Sequence, residues 1–209
     1  MKLCGSGQEL TVCLLRIPIR KNMQQESWYK GEITLVGART FTIELRERDK
    51  DNQLSEAKTT LVSRQNPRLR VPLPVPPPTE DIPFDFNRFF VSPDEDTIIA
   101  SRKVAHGTNE MRVFHRVRGL RYVPAEKQSL NDRIGKKFGL PWKHSGNDEQ
   151  SVDIIRFQRW EAGGRHAILG CMYIGQNNKK EYYFVTLDVR TGALSYYART
   201  QEDKIQEPS

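Results

Sequence analysis

The sequence predicts a mainly β protein, an antiparallel meander or sandwich with one short helix at about residues 126–138. Three observations support this fold class. Residues 41–45 alternate apolar and polar side chains, the period-2 pattern of a strand with one buried face. A strand, turn, strand pattern occurs at residues 89–100 and again at 157–169. Only one segment, near residue 130, has apolar residues at helical spacing.

The first sixty-odd residues predict strands. Residues 10–17 form a continuous apolar run that ends at Pro18, as in a central or sandwich-core strand. Residues 33–45 predict a hairpin, because Gly37 supplies a turn before the alternating strand. Residues 48–52 predict a polar loop, and residues 59–62 a further strand.

A proline-rich segment follows and predicts a boundary. Seven of the twelve prolines lie between residues 67 and 83. Proline fixes φ and removes a backbone donor, so the segment should be a semi-rigid polyproline II spacer. The alternative is a docking motif for an SH3 or WW domain, since Pro74 and Pro77 have P-x-x-P spacing. We therefore expect an N-terminal β module (1–66), a linker (67–83), a C-terminal β domain with two repeats (84–200) and a polar tail (201–209).

The turns of the C-terminal domain have specific chemistry. Ser92-Pro93-Asp94 suits a type I turn. Gly163-Gly164 permits positive φ at the second reversal, and Gly192 permits it in a later hairpin between 182–187 and 194–197.

One helix interrupts the strands of this domain. Leu130, Ile134 and Phe138 recur at i, i+4 and i+8 and so share one face. Ser129 could cap the helix, although the segment 124–126 offers an earlier start.

These turns carry a resemblance to a known family. Phe90-Val91-Ser92-Pro93-Asp94 with Ile98-Ile99-Ala100 resembles the inner hairpin of WD40-like and TolB-type β-propeller blades, as does the segment 159–164. The segment 187–192 resembles the outer hairpin of such blades. The resemblance covers residues 86–123 and 152–198. It implies propeller-like blades and a binding surface, and it carries no catalytic residue to this chain.

A closed propeller has typically four or more blades, and two are visible in the sequence. The sequence therefore leaves three arrangements open: an open meander covered by the helix, a sandwich with the N-terminal strands, or a ring completed by other copies.

Composition limits the function classes. The net charge is +7 and the isoelectric point about 9.4, which favours attraction to a phosphate polymer, an anionic membrane or an acidic protein partner. The alternative is a solvated basic surface without an anionic ligand. No run approaches ~18 apolar residues, so we expect no transmembrane helix. Three cysteines without C-x-x-C spacing predict neither a disulfide framework nor a zinc site.

The sequence leaves the compartment open. As the chain stands, only Met1-Lys2-Leu3 precede Cys4, so we expect a cytoplasmic protein without an export signal. Cys4-Gly5-Ser6-Gly7 resembles the start of a mature bacterial lipoprotein, which makes an envelope lipoprotein the alternative if the natural start lies upstream.

No pattern of catalytic residues stands out. The sequence lacks the phosphate-binding G-x-x-x-x-G-K motif and the G-x-S-x-G elbow. The four histidines have no metal-site spacing. His166 and Cys171 are too far apart along one strand to form a thiol–imidazole pair. We expect no enzyme activity, no cofactor and no metal.

A basic run is the strongest candidate binding site. Arginines at four positions within ten residues accompany an aromatic ring and no acid: Arg112, Phe114, Arg116, Arg118 and Arg121. In a strand, Arg112, Arg116 and Arg118 would share one face with Phe114, and Arg121 the other. That face suits an acidic protein groove, which we take as the function. The alternatives are nucleic-acid binding through phosphate contacts and base stacking, or pairing with Asp94, Glu95 and Asp96 inside the protein.

Overall fold

The computed structural model of the chain describes residues 13–14, 34–50, 53–75, 88–105, 108–138, 151–174 and 179–200. This part is mainly β, with three antiparallel sheets and a single helix, and the sheets are not closed into a barrel. The predicted fold class is confirmed. The predicted division into domains stays a prediction.

The first sheet contains five strands in sequence order: β1 (Cys13–Leu14), β2 (Thr34–Gly37), β3 (Phe41–Lys50), β4 (Gln53–Ser63) and β5 (Arg70–Leu73). The predicted hairpin is β2–β3, in which Val36 pairs with Ile43. Strands β3 and β4 extend further than the sequence predicted, and residues 48–50 of the expected polar loop belong to β3, where Lys50 pairs with Gln53. Residues 51–52 lie outside the described residues.

The proline-rich segment departs from its prediction. Arg70–Leu73 form strand β5, paired with β4 at the edge of the first sheet, where we expected a polyproline II spacer. An edge position explains why proline is tolerated, because Pro72 lacks a backbone N–H and no described strand on its outer side requires that donor. Leu73 is buried in the core. Residues 76–87, which contain four of the seven prolines, lie outside the described residues.

The second and third sheets are four-stranded meanders of similar design. The second contains β6 (Arg88–Val91), β7 (Thr97–Ala105), β8 (Thr108–Arg118) and β9 (Arg121–Pro124). The third contains β10 (Ser151–Glu161), β11 (His166–Ile174), β12 (Lys180–Asp188) and β13 (Leu194–Thr200), with a 3-10 turn at Ala162–Gly164. The three predicted hairpins, β6–β7, β10–β11 and β12–β13, are confirmed.

The second sheet lies between the other two and is buried on both faces. Consecutive residues of β7 point to opposite sides, so Ile98 joins a core shared with the first sheet and Ile99 a core shared with the third. Aromatic rings mark both interfaces. Phe41 contacts Tyr122 edge to face at 5.8 Å, and Phe90 stacks on Phe157 at 4.3 Å.

The helix α1 (Leu130–Phe138) begins later than the predicted start near residue 126. Ser129 is its cap: the Asp132 amide donates to the Ser129 hydroxyl at 3.1 Å, and Ser129 donates in return to the Asp132 carboxylate at 2.7 Å. Leu130 and Ile134 are buried in the core between the second and third sheets. The buried Asn131 side chain accepts a hydrogen bond from the Met111 amide. Beyond the end of β9, the helix therefore supplies a hydrogen-bond acceptor to the backbone of strand β8.

Six turns lie at one edge of the stack, called here the turn edge. They connect β2 to β3 (38–40), β4 to β5 (64–69), β6 to β7 (92–96), β8 to β9 (117–121, counted with the adjoining strand ends), β10 to β11 (162–165) and β12 to β13 (189–193). Arg39 donates to the Pro93 carbonyl at 2.6 Å, and Gly164 abuts Pro93 from the other side. The turns 38–40, 92–96 and 162–165 therefore contact one another in series, and the turn edge is a continuous surface that crosses all three sheets.

Candidate functional site

The basic run does not form one strand. Strand β8 ends at Arg118, Gly119 adopts a positive φ of 53°, and Arg121 begins β9. The expectation of a single strand over residues 112–121 is thus wrong. The run is the end of β8 and the turn into β9, and its last residues lie on the turn edge.

Phe114 is fully buried in the core between the first and second sheets. The sequence placed its ring on an arginine-rich face open to a partner. That placement is wrong, because β8 is an inner strand of a sheet that is covered on both sides. The ring packs against the first sheet and is not available for base stacking.

Two of the predicted arginines are engaged within the protein. Arg112 pairs with Glu110 at 2.7 Å and donates to the Lys127 carbonyl at 3.0 Å. Arg116 pairs with Glu95 at 3.3 Å and lies 3.9 Å from Asp96. The intramolecular alternative is therefore correct for Arg116, and neither side chain is free to receive a partner.

Glu95 joins the first two sheets at the turn edge. Its side chain is only 5% exposed, and its carboxylate accepts from the Thr40 amide at 3.0 Å, the Thr40 hydroxyl at 2.5 Å and Arg116. Burial alone would raise the pKa of Glu95, but the hydrogen bonds from Thr40, Arg39 and Arg116 outweigh burial and lower it. The Tyr122 hydroxyl completes the network, since it donates to the Glu95 carbonyl and accepts from Arg116 at 3.0 Å.

We expect Glu95→Gln to lower the free energy of unfolding by about 1–3 kcal/mol at neutral pH, because it removes a buried charge from its partners. Folding lowers the pKa of Glu95 below 4.5. Its contribution is therefore full above pH 4.5 and is lost as the pH falls through the lowered value. Urea unfolding of both proteins across this range should show the difference shrinking in acid. Asp96→Asn, at a carboxylate 65% exposed, is the control and should change stability by under about 0.5 kcal/mol. A constant difference down to the lowest pH would contradict the account.

The remaining predicted residues are exposed. Val117 is 59% exposed, and Arg118 and Arg121 follow on the surface of the β8–β9 turn. Neither guanidinium has an ion-pair or hydrogen-bond partner among the residues that the structure describes. The two unpaired arginines are the part of the predicted site that a partner can reach, and the exposed Val117 beside them was not among the predicted site residues.

Next to this turn lies a cleft of about 370 Å³ between the second and third sheets. The wall from the second sheet consists of Asp94, Asp96, Thr97, His115, Arg116 and Val117. The wall from the third sheet consists of Gly164, Arg165, Val189 and Arg190. Val117 belongs to both the exposed turn and the cleft, so the two features form one surface.

Hydrogen bonds fix the third-sheet wall. The Val189 amide donates to the Arg165 carbonyl at 2.9 Å, which ties the two turns of this sheet together. Arg165 pairs with Asp188 at 3.0 Å. The Thr191 amide, then Arg165 and the Arg190 amide, lower the pKa of Asp188 to about 2. Asp188 stays ionised, so Arg165 is already neutralised by a neighbour.

His115 is the histidine that lines the cleft. Burial lowers the pKa of His115, and its Nδ1 lies 3.4 Å from the Thr97 hydroxyl. It is a half-buried side chain on the cleft wall, and no cluster of three potential metal ligands occurs in the described ranges. Cys171 is buried, and burial raises its pKa to about 12. It lies five positions along β11 from His166, roughly 17 Å in an extended strand.

Sequence reasoning missed the third-sheet wall of the cleft. This wall comes from turns that lie about seventy or more residues after Asp94 in the sequence: Gly164, Arg165, Val189 and Arg190. The turns themselves had signals in Gly163-Gly164 and Gly192. No sequence signal predicted the contact between sheets that places those turns beside the β8–β9 turn.

Comparison with protein-family models, with curated proteins and with solved structures gives no match. No helix within the described part of the chain is long and apolar enough to cross a membrane.

Proposed function

We propose that the protein is a non-catalytic binding module that presents its basic turn edge to a protein partner. The observation that carries the proposal is the β8–β9 turn, where Val117 is exposed beside the unpaired Arg118 and Arg121. Across the six turns of this edge and the adjoining Asp188, seven arginines stand against four acids: Arg39, Arg64, Arg68, Arg118, Arg121, Arg165 and Arg190 against Asp94, Glu95, Asp96 and Asp188. Such an excess favours an acidic partner surface.

The burial pattern supports a protein partner over a nucleic acid. Sequence-independent binding of single strands uses aromatic rings as stacking surfaces. Phe114, the ring expected to do so, is in the core. An exposed valine between charged groups suits a protein interface, whose centre is apolar and whose rim is polar. Nucleic-acid binding through the exposed arginines remains the alternative function and is an outcome of the test below.

The arrangement of sheets supports a further part of the proposal, namely that they are propeller-like blades. Each of the last two sheets is a four-stranded antiparallel meander, and the sheets pack face to face in sequence order. Their first turns contact one another in series through Arg39, Pro93 and Gly164. Propeller blades are four-stranded sheets repeated around a central channel, so the strand number and the packing in sequence order support this part of the proposal.

We expect the double variant Arg118→Gln/Arg121→Gln to bind an acidic peptide roughly ten-fold more weakly, because each exposed ion pair contributes up to about 1 kcal/mol. The probes are a labelled decapeptide of glutamate and a labelled ten-nucleotide oligothymidine, compared by fluorescence anisotropy at low salt.

The matched control is Lys136→Gln/Lys137→Gln, which removes the same charge from exposed positions on α1. It should leave affinity for the peptide nearly unchanged. Equal effects of both double variants would mean that net charge alone drives binding and would contradict the proposal. Tighter binding of the oligothymidine than of the peptide, with a steep dependence on salt, would favour the nucleic-acid alternative.

A further inference from the structure

The cleft beside the β8–β9 turn has walls of opposite charge. On the second-sheet wall, Asp94 accepts from the Ser92 hydroxyl at 2.5 Å and from the Asp96 amide at 3.1 Å, both through one oxygen. Its second oxygen has no cation or donor among the described residues. Asp94 therefore has one carboxylate oxygen open to a partner in the cleft.

The opposite wall carries a free cation. Arg116 and Arg165 are neutralised by Glu95 and Asp188. Arg190 uses only its backbone amide, which donates to Asp188 at 3.0 Å. Its exposed guanidinium has no partner within the described part of the chain. The second-sheet wall thus carries the carboxylates of Asp94 and of the exposed Asp96, which lies 3.9 Å from the already paired Arg116, and the third-sheet wall carries the unpaired Arg190.

From this charge arrangement we propose that the cleft binds a segment of a protein partner that carries an acidic and a basic side chain next to each other. The acidic side chain pairs with Arg190, and the basic side chain pairs with Asp94. This inference rests on the proposed function and narrows the partner from an acidic surface to a mixed-charge segment. Opposed charges in a site select a partner by repelling those with only one sign.

The size and position of the cleft agree with such an occupant. A volume of about 370 Å³ is at the small end of ligand sites, and it accommodates a few side chains of a partner without enclosing a larger ligand. Val117, which is 59% exposed, supplies an apolar contact for the stems of long charged side chains. Because Val117 also belongs to the exposed β8–β9 turn, the segment continues directly onto Arg118 and Arg121.

The test compares two labelled peptides on the full chain by fluorescence anisotropy at low salt: a decapeptide of alternating glutamate and lysine, and a decapeptide of glutamate. Asp94→Asn keeps the oxygen that accepts from Ser92 and removes the charge. It should weaken binding of the alternating peptide about three- to five-fold and leave the glutamate peptide equally or more tightly bound. Arg190→Gln should weaken both peptides by a similar factor. Lys136→Gln, the single-charge control on α1, should change neither by more than about two-fold.

Weaker binding of the alternating peptide alone in Asp94→Asn is a readout that general loss of folding cannot produce. A shift of both peptides in the same direction, an Arg190→Gln variant that behaves like Lys136→Gln, or no binding of the alternating peptide to the unaltered protein would overturn the inference. A different result would show that the proposed function itself fails, namely normal binding of the glutamate peptide by the Arg118→Gln/Arg121→Gln variant.

Discussion

Gly164→Ala is expected to lower the free energy of unfolding by about 2–5 kcal/mol. Gly164 has a φ of 101°, which disfavours any side chain. A Cβ at this position would lie 2.9 Å from Cδ of Pro93 and 3.1 Å from Cβ of Ser92. These atoms belong to the tight β6–β7 turn, which is held on its other side by Arg39 and Thr40. The turn cannot retreat without disturbing the first sheet.

Gly163→Ala is the matched control for this prediction. Gly163 also has a positive φ, 66°, within the left-handed region, and nothing lies within 4 Å of the position of its Cβ. The control should therefore lower the free energy of unfolding by about 1 kcal/mol, the cost of placing alanine at a positive φ. Urea unfolding of the two variants isolates the contact between turns. Equal losses in both would mean that the second and third sheets do not meet at Gly164.

Phe114→Ala is expected to destabilise the protein by about 3–5 kcal/mol. The ring is fully buried in the core between the first and second sheets, and its removal leaves a cavity that a sheet packed on both faces cannot close. Thermal or urea unfolding measures the loss. This expectation separates the structure from the interpretation of Phe114 as an exposed stacking ring, under which the variant would lose nucleic-acid affinity and keep its stability.

Val117→Ala is the control on the same strand. Its side chain is 59% exposed, so truncation should change stability by under about 0.5 kcal/mol. A Phe114→Ala variant as stable as Val117→Ala would contradict the burial of the ring and the packing of the first sheet on the second.

The fold class was predictable because turn chemistry is local. Ser92-Pro93-Asp94 and Gly163-Gly164 mark reversals whatever the rest of the chain does, and the hairpins they predict are present. Gly119 could have been recognised as a turn residue for the same reason. The turn was missed because the arginines around it favoured one continuous basic strand. Arg70–Leu73 were missed for another reason. Polyproline II and an edge strand are both extended, and only pairing with β4 distinguishes them.

The site was predictable only in part because it depends on how sheets stack. Alternation along β8 separates two faces, but in a sheet covered on both sides it cannot tell a buried face from an open one. Phe114 was therefore placed on the surface. Arg118 and Arg121 are exposed because they lie at the turn, where the covering sheets end. Arg190 reaches the same surface through contacts between sheets that have no signature in the sequence.

The most direct test of the central claim, that the turn edge is a protein-binding surface, is hydrogen exchange of the full chain with and without the glutamate decapeptide. Our account predicts slower exchange of the amides at 117–121 and 164–165 in the presence of the peptide, and unchanged exchange along α1. Protection confined to α1, or spread evenly over the basic residues of the chain, would contradict it.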